Sequence, residues 1–232
     1  MSEFGNLHWD LSFAEAKAMQ TTLASRVVRR DDLPEIRRVA GIDVGFEDKG
    51  RVTRAAAVLA FPGLELLDYT IAKIPTQMPY IPGLLSFREC PAILAALSQL
   101  RVEPDLLLCD GQGIAHPRRF GVACHLGVIT GLPAIGVAKS RLCGKSDTLS
   151  EEKGARAELR DHHEVIGCVV RTRTATRPLY ISIGHRISLN TAVYYVEACL
   201  THYRLPETTR WADALASNRG QAVARANRIL AR

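Results

Sequence analysis

Pro104–Leu126 reads PDLLLCDGQGIAHPRRFGVACHL, and its first half decides the fold class. Leu106 to Cys109 is a short, wholly apolar run, as expected of a strand buried on both faces, and it stops at Asp110, Gly111 and Gly113. A carboxylate therefore stands at a strand's carboxyl end, where open α/β sheets bind ligands, and the glycines let the backbone come close to whatever is bound. His116, Arg118 and Arg119 follow in the same loop. An acid, an imidazole and two guanidiniums on one rim suit a phosphate ester and a metal ion. The plain alternative is an ordinary turn after a strand.

Around this stretch the chain has 232 residues, 47% of them apolar and 23% charged, enough to bury a sizeable core as one domain spanning residues 1–232. The net charge of +6 favours an anionic partner such as nucleic acid. Six cysteines are scattered singly with no C-x-x-C pair. That argues against a zinc site or a disulfide framework and for reduced thiols in a cytoplasmic protein. No signal peptide opens the chain and no apolar run is long enough to span a bilayer, so a membrane role is not expected.

In chain order, Ser12-Phe13-Ala14-Glu15 has the pattern of a capping box, and apolar residues at helical spacing extend the expected N-terminal helix to Arg29-Arg30. Three strands follow closely, Arg38 to Phe46, Thr53 to Phe61 and Leu64 to Ala72, with Glu47–Gly50 and Pro62-Gly63 as turns. They imply an antiparallel meander. Asp43 interrupts the first apolar run, so it must be paired, metal-bound or facing a cleft, unless it points outward on an edge. Ile74 to Leu85 holds three prolines and a glycine after Ile74 and resists regular structure. At its tip Tyr80 has little freedom to lose and could stack on or wedge between bases, or simply pack on the surface. Ser86-Phe87-Arg88-Glu89 reads as a second capping box, which gives Glu89 a structural task beside a metal-binding one. After a helix to Leu100 and the strand ending at Asp110, a helix is expected from about Arg119 to Thr130. A strand from Pro133 to Ala138 then closes on Lys139, placed to hold a phosphate or orient water if carboxylates lie nearby. Gly144 to His163 reads as a loop, with His162 and His163 on the surface. Two strands, Ile166 to Thr172 and Pro178 to Ile183, lead to Gly184-His185-Arg186, expected over an adjacent site, and Ser188 caps the next helix. A late helix carries Asp213, and a basic tail carries Arg219, Arg225, Arg228 and Arg232.

An acid on the first strand of a meander, an acid opening the next helix, an acid ending the following strand and a last acid on a late helix is the order of a ribonuclease H-like α/β fold. Such a fold has a mixed central sheet, the antiparallel meander plus parallel strands, flanked by helices. The fourth strand would pair parallel to the first and set Asp43 beside Asp110, with Glu89 and Asp213 brought toward them. Like charges so close call for divalent cations. Oxygen ligands select Mg²⁺, with Mn²⁺ as a substitute, and suit in-line phosphoryl displacement.

The motifs are more specific than the fold. Ala40-Gly41-Ile42-Asp43-Val44, Pro79 to Glu89, Asp110 to Arg118, Ile135 to Ser140, Gly184 to Ser188 and Leu205-Pro206-Glu207 together resemble, in consistent order, the endonuclease V family. The resemblance runs from about Ser12 to Ser217, with Ile183 and Thr208 departing from the family's usual proline. It implies a Mg²⁺-dependent nuclease of DNA repair that recognises inosine and nicks the same strand one nucleotide beyond it on the 3′ side, leaving 3′-hydroxyl and 5′-phosphate ends. By that resemblance Asp43, Glu89 and Asp110 are metal ligands with Asp213 as an additional acid. Pro79, Tyr80, Ile81 and Pro82 form a wedge, Gly83, Leu85, Gly111, Gly136 and Leu142 line the base pocket, and His116 and Lys139 flank the scissile phosphate. The partner would be single- or double-stranded DNA containing deoxyinosine, or inosine-containing RNA, bound by a monomer. A general nuclease of the same fold, or a non-catalytic recognition module for damaged nucleic acid, are the alternatives.

Overall fold

A computed structural model describes residues 9–47, 52–59, 61–217 and 219–231. Its centre is an eight-stranded mixed sheet in the order β3-β2-β1-β4-β5-β8-β7-β6. β1 (Val39–Glu47), β2 (Val52–Leu59) and β3 (Asp68–Pro75) form the expected antiparallel meander. β4 (Leu106–Cys109) lies parallel to β1 and to β5 (Ala134–Ala138). β8 (Leu179–His185), β7 (Glu164–Val170) and β6 (Arg156–Asp161) continue antiparallel beyond β5.

All four residues of β4 are buried, as its unbroken apolar run requires. Its alternate side chains feed two cores. Leu106 and Leu108 join Val39, Ile135, Ile181, Ile183 and α4 (Leu189–Ala198), while Leu107 and Cys109 join Ile42, α2 (Leu85–Leu97) and α3 (Val122–Thr130). α1 (Phe13–Ala24) begins at the expected capping box, with Glu15 N–H donating to Ser12 Oγ and Ser12 N–H to Glu15 Oε2. α5 (Glu207–Ala216) covers β1, and α6 (Ala222–Leu230) packs Ala222 and Ala226 against it. No described helix is long and apolar enough to cross a membrane.

Several local expectations need correcting. α1 ends at Ala24, because the next segment is drawn along the end of β8, where Arg186 N–H donates to Val28 O at 2.7 Å. Ser86 forms no capping box. The N-cap lies two residues earlier, at Leu84, with no side-chain bond, and Ser86 Oγ instead lies 3.0 Å from His125 Nδ1. α3 begins at Val122, three residues later than expected, because Arg119 sits in a left-handed turn (φ 54°). β3 lies later in sequence than expected, and the turn at 48–50 falls outside the described residues. The loop assigned to Gly144–His163 contains β6. This edge strand buries only Leu159, so its charged alternation masks it, and His162 and His163 are the exposed turn of the β6–β7 hairpin. Gly184-His185-Arg186 ends a strand antiparallel to β5, with His185 opposite Ala134, so it lies at the other end of the sheet from Lys139.

The pairing of β1 with β4 is clamped where both strands enter the sheet. Asp105 Oδ2 accepts from the backbone N–H groups of Arg37 and Arg38 at 3.0 and 2.8 Å, and its Oδ1 accepts from Arg38 Nη2 at 2.7 Å. Burial acts to raise the Asp105 pKa, but these donors outweigh it and hold it low. Asp105→Ala should therefore cost about 2–3 kcal/mol in urea unfolding; a loss under about 0.5 kcal/mol would show that the clamp is dispensable.

Candidate active site

The register of the three central strands delivers three charges to one edge. Ile42 stands opposite Cys109, and Asp110 N–H donates to Ile42 O at 2.8 Å, so the next residues, Asp43 and Asp110, emerge side by side. β5 follows in parallel with Gly136 opposite Cys109, and two residues after Ala138's predecessor it releases Lys139 at the same edge. The Lys139 ammonium pairs with Asp110 and lies 3.8 Å from Asp43 Oδ2 and 3.4 Å from Asp213 Oδ1.

Asp213 arrives on α5, and two glycines set its distance. A Cβ on Gly41 would sit 2.1 Å from Thr208 O, and one on Gly45 would sit 2.6 Å from Ala216 O. The backbone of α5 therefore lies directly on the face of β1 from which Asp43 projects between the two glycines. Asp43 hydrogen-bonds with Asp213 and with Asp110 in consequence. Glu89, on α2, is 8% exposed and accepts no hydrogen bond from any described residue.

Burial, reinforced by the neighbouring carboxylates, raises the pKa of Asp43, Asp110 and Glu89, the last to about 8, although Lys139 opposes the rise at the two aspartates. For Lys139 burial works against the charge, but Asp110, Asp43 and Asp213 outweigh it and hold its pKa up. The Lys139 ammonium, with the Arg219 guanidinium on Asp213, does not balance four acids. As the side chains stand, no three Asp, Glu, His or Cys groups among the described residues form a ready-made ion cage. Lys139 stands among the aspartates instead. The all-oxygen donor set and the buried, unbonded carboxylate of Glu89 nevertheless fit a hard divalent cation.

Asp110 and Lys139 form part of the wall of a cavity of about 400 Å³, whose other walls include Tyr80, Pro82, Gly83, Leu85, Gly111 and Leu142. Four of the five residues expected around a base are thus in its lining, and the fifth, Gly136, lies beneath the Gly111–Gly113 loop, where a Cβ would meet Gly113 N at 2.2 Å. Tyr80 is 66% exposed at the rim. The loop bearing it is anchored at Gly83, whose left-handed backbone (φ 79°) turns its carbonyl inward to three donors: Gln20 Nε2 at 3.0 Å, His116 Nε2 at 3.1 Å and Arg118 Nη2 at 2.6 Å.

The rim drawn from sequence is accordingly divided. Arg118 also donates to Gln20 Oε1 at 2.5 Å, and Arg119 is held by Asp161 and Glu164 of the β6–β7 hairpin. Neither guanidinium belongs to the carboxylate cluster. His116 is 4% exposed, its Nδ1 accepting from Arg118 N–H at 3.1 Å, so Nε2 carries the proton given to Gly83 O. It lines the cavity as a brace for the loop. Sequence reading missed Gln20, although its spacing from buried Ala16 and Leu23 placed it on the inner face of α1. It also missed the close approach at Gly41 and Gly45, for which glycines flanking Asp43 at two residues on either side were the available signal.

The endonuclease V family model matches residues 21–214 of the chain. Over 213 residues the chain is 58% identical to an endonuclease V from Rippkaea orientalis, covering 91% of this chain and 93% of that protein. The crystal structure of endonuclease V from Streptomyces avermitilis superposes with a TM-score of 0.86 at 40% identity, over 93% of this chain and 96% of that one. A Ciona intestinalis endonuclease V, solved in complex with a 24mer DNA containing an inosine followed by a ribo-adenosine, superposes with a TM-score of 0.78 at 27% identity, over 90% and 98% of the two chains.

Two consequences are measurable. In Gly41→Ala the new methyl group meets the backbone of α5 and pushes Asp213 away. Stability should fall by about 2 kcal/mol and divalent-cation binding, read by calorimetry, should weaken about tenfold or more; unchanged cation binding would disconnect Asp213 from the site. Burial, and next the charge of Arg118, lowers the His116 pKa from 6.5 to about 4. The stability that its neutral ring contributes is complete above the unfolded value and is lost as pH falls from 6.5 toward 4, because the unfolded chain takes up the proton first. The stability difference between wild type and His116→Gln, in which contributions from the carboxylates cancel, should therefore shrink by about 3 kcal/mol across that window. A constant difference would show that the ring titrates normally.

Proposed function

The chain belongs to the endonuclease V family, and from that premise we propose that the protein is a Mg²⁺-dependent endonuclease of DNA repair that recognises inosine. On this reading it hydrolyses the phosphodiester one nucleotide beyond the inosine on the 3′ side and leaves 3′-hydroxyl and 5′-phosphate ends. The observation that carries the reading is the single cavity that has Tyr80 and Pro82 on one rim and Asp110 and Lys139 on the other, with space of about 400 Å³ between them. A flipped purine and its adjacent phosphate need those two walls at once.

Asp43, Glu89, Asp110 and Asp213 would hold the cation, Mn²⁺ serving as a substitute. When bound, such an ion supplies Lewis acidity toward phosphate and water. The remaining roles fall to the chain itself. Tyr80, exposed on a loop pinned at Gly83, fills the gap left in the stack, which makes extrusion of a weakly paired inosine cheapest. Leu85 and Leu142 flank the base, while main chain at Gly111 and the N–H of Gly83, whose carbonyl is taken by the three donors, would read its edge and leave the amino group of adenine unmatched. Lys139, which stands beside Asp110 at the cavity wall, would offer its ammonium to the oxygens on which negative charge develops. His116 acts by holding the loop, and its neutral ring is suited to that task across the physiological range.

The test is cleavage of an end-labelled single strand carrying one inosine. With Mg²⁺ one product is expected, cut one nucleotide past the inosine. It should vanish with EDTA and fall about 10³-fold or more in Asp43→Ala. Inosine-selective binding without cutting would identify a recognition module, and cutting indifferent to inosine would identify a general nuclease. A matched RNA strand, run beside the DNA, ranks the two carriers.

A further inference from the structure

Beyond Asp213 the chain enters a part of the molecule that the matched family residues, 21–214, do not reach. The left-handed backbone at Gly220 and Gln221 (φ 56° and 58°) swings the preceding Arg219 back against α5, where its guanidinium pairs with Asp213. α6 then packs its inner face on Trp211 and Leu215, fixed by Tyr69 Oη donating to Asn227 Oδ1 at 2.6 Å. Arg225 and Arg228 are exposed on this helix. Between α5 and α6 lies a cleft of about 220 Å³ whose lining includes Glu207, Arg210, Trp211, Arg219 and Arg225.

The charges in this cleft are not balanced one for one. Arg210 is paired, donating to Glu207 at 2.8 Å and lying 3.4 Å over the Tyr203 ring. Arg219 is shared with Asp213 and still has N–H groups to offer. Arg225 lies 4.7 Å over the ring of Trp211 and makes no ion pair with any described carboxylate. A guanidinium stacked on an indole is orientated in advance, with its fork of donors free for a planar or tetrahedral anion. Arg219 links the cleft to the carboxylate cluster, since the same Asp213 that it pairs with lies 3.4 Å from Lys139 Nζ.

We infer that the α5–α6 cleft binds the phosphate backbone of the nucleic-acid strand on the 3′ side of the cut, with Arg219 and Arg225 on successive phosphates. The inference rests on the proposed function for its polarity. Asp110 and Lys139 line the base cavity, whereas Asp213, Arg219 and Arg225 do not; the ion pairs run from Lys139 through Asp213 to Arg219 and so lead away from that cavity to the cleft. In the proposed reaction the strand runs from base to cut in the 3′ direction, so what passes Asp213 is the 3′ arm. A track of guanidiniums with an adjacent ring is the usual footing for a single strand, and it accounts for a basic helix appended just after the last acid.

The test compares two inosine strands, one with a 3′ arm of about eight nucleotides and one whose arm stops about two nucleotides after the cut. For the wild type the long arm should lower KM about tenfold. Arg225→Ala and Arg225→Gln should abolish that gap and reduce the salt dependence of log KM on the long strand by about one charge, and Arg225→Lys should keep part of both. Arg30→Ala, an exposed site on the segment beside the opposite end of the sheet, should leave the gap intact. Thermal melting of each variant separates loss of the Trp211 stack from loss of strand contact, because unfolding alone cannot depend on arm length. A gap that persists in Arg225→Ala, or that follows the 5′ arm, overturns the inference. If the wild type cuts neither strand, the proposed function fails, and the arm comparison is then read by fluorescence anisotropy of the same labelled strands, with the same two outcomes deciding.

Discussion

The backbone-to-backbone contact between β1 and α5 is the constraint on which the rest of the site depends. A helix laid over a strand is normally held off by side chains from both. Here Gly41 and Gly45 remove them on one side, and the carbonyls of Thr208 and Ala216 settle into the space. The only side chain left between them on that face of β1 is Asp43. The contact therefore does two things at once: it closes the apolar interface around Trp211, Ala212 and Leu215, and it forces Asp213 onto Asp43. Packing on this scale is rigid, because interiors are filled to near-crystalline density and a single methyl group is felt. The fold thus spends part of its apolar stabilisation on holding like charges together, a juxtaposition that is unfavourable until positive charge joins it.

The cavity wall opposite the acids is built by a different device. Three prolines stiffen the segment from Pro75 to Pro82, but stiffness alone does not position it. The Gly83 carbonyl does so, taking donors from α1, from the loop after β4 and from His116 within it. Since that same loop begins at Asp110, the rim that carries Tyr80 is referenced to the strand that carries the acid. An exposed aromatic side chain on so fixed a mount loses little conformational entropy when it meets a base. Ordering is done during folding, so the ring is already placed before it meets any partner.

What could be read from sequence was whatever depended on local pattern plus parity. The unbroken apolar run of β4 fixed both its burial and the position of Asp110, and the three-strand meander fixed the parallel partner and so the neighbourhood of Asp43. Lys139 followed from one more strand of the same kind. What escaped was decided by tertiary contact. Ser86 has the sequence of a helix cap but is captured by His125, β6 is hidden by charges that suit an edge strand, and Arg119 is drawn to Asp161 and Glu164 in a hairpin whose sequence has the polarity of a loop. The Gly184-His185-Arg186 turn was misplaced for a related reason: its strand runs antiparallel to β5, and direction within a sheet is not legible in a short apolar run.

The division of charge across the edge of the sheet follows from the same geometry. Arginines on the loop side, Arg118 and Arg119, are consumed by structural partners, and the lysine at the end of β5 is the cation set between Asp43 and Asp110. A lysine suits that position better than an arginine would. Its ammonium is a compact charge on a flexible stem, able to satisfy Asp110 in one state and withdraw toward a phosphate in another, whereas a guanidinium clamped in two parallel hydrogen bonds would compete with a cation for the same oxygens. Past Asp213, Arg219 and Arg225 present guanidiniums on the flank of the cluster. Mobile charge at the centre and oriented charge at the flank is the arrangement expected where a small cation must enter and a polyanionic strand must be held.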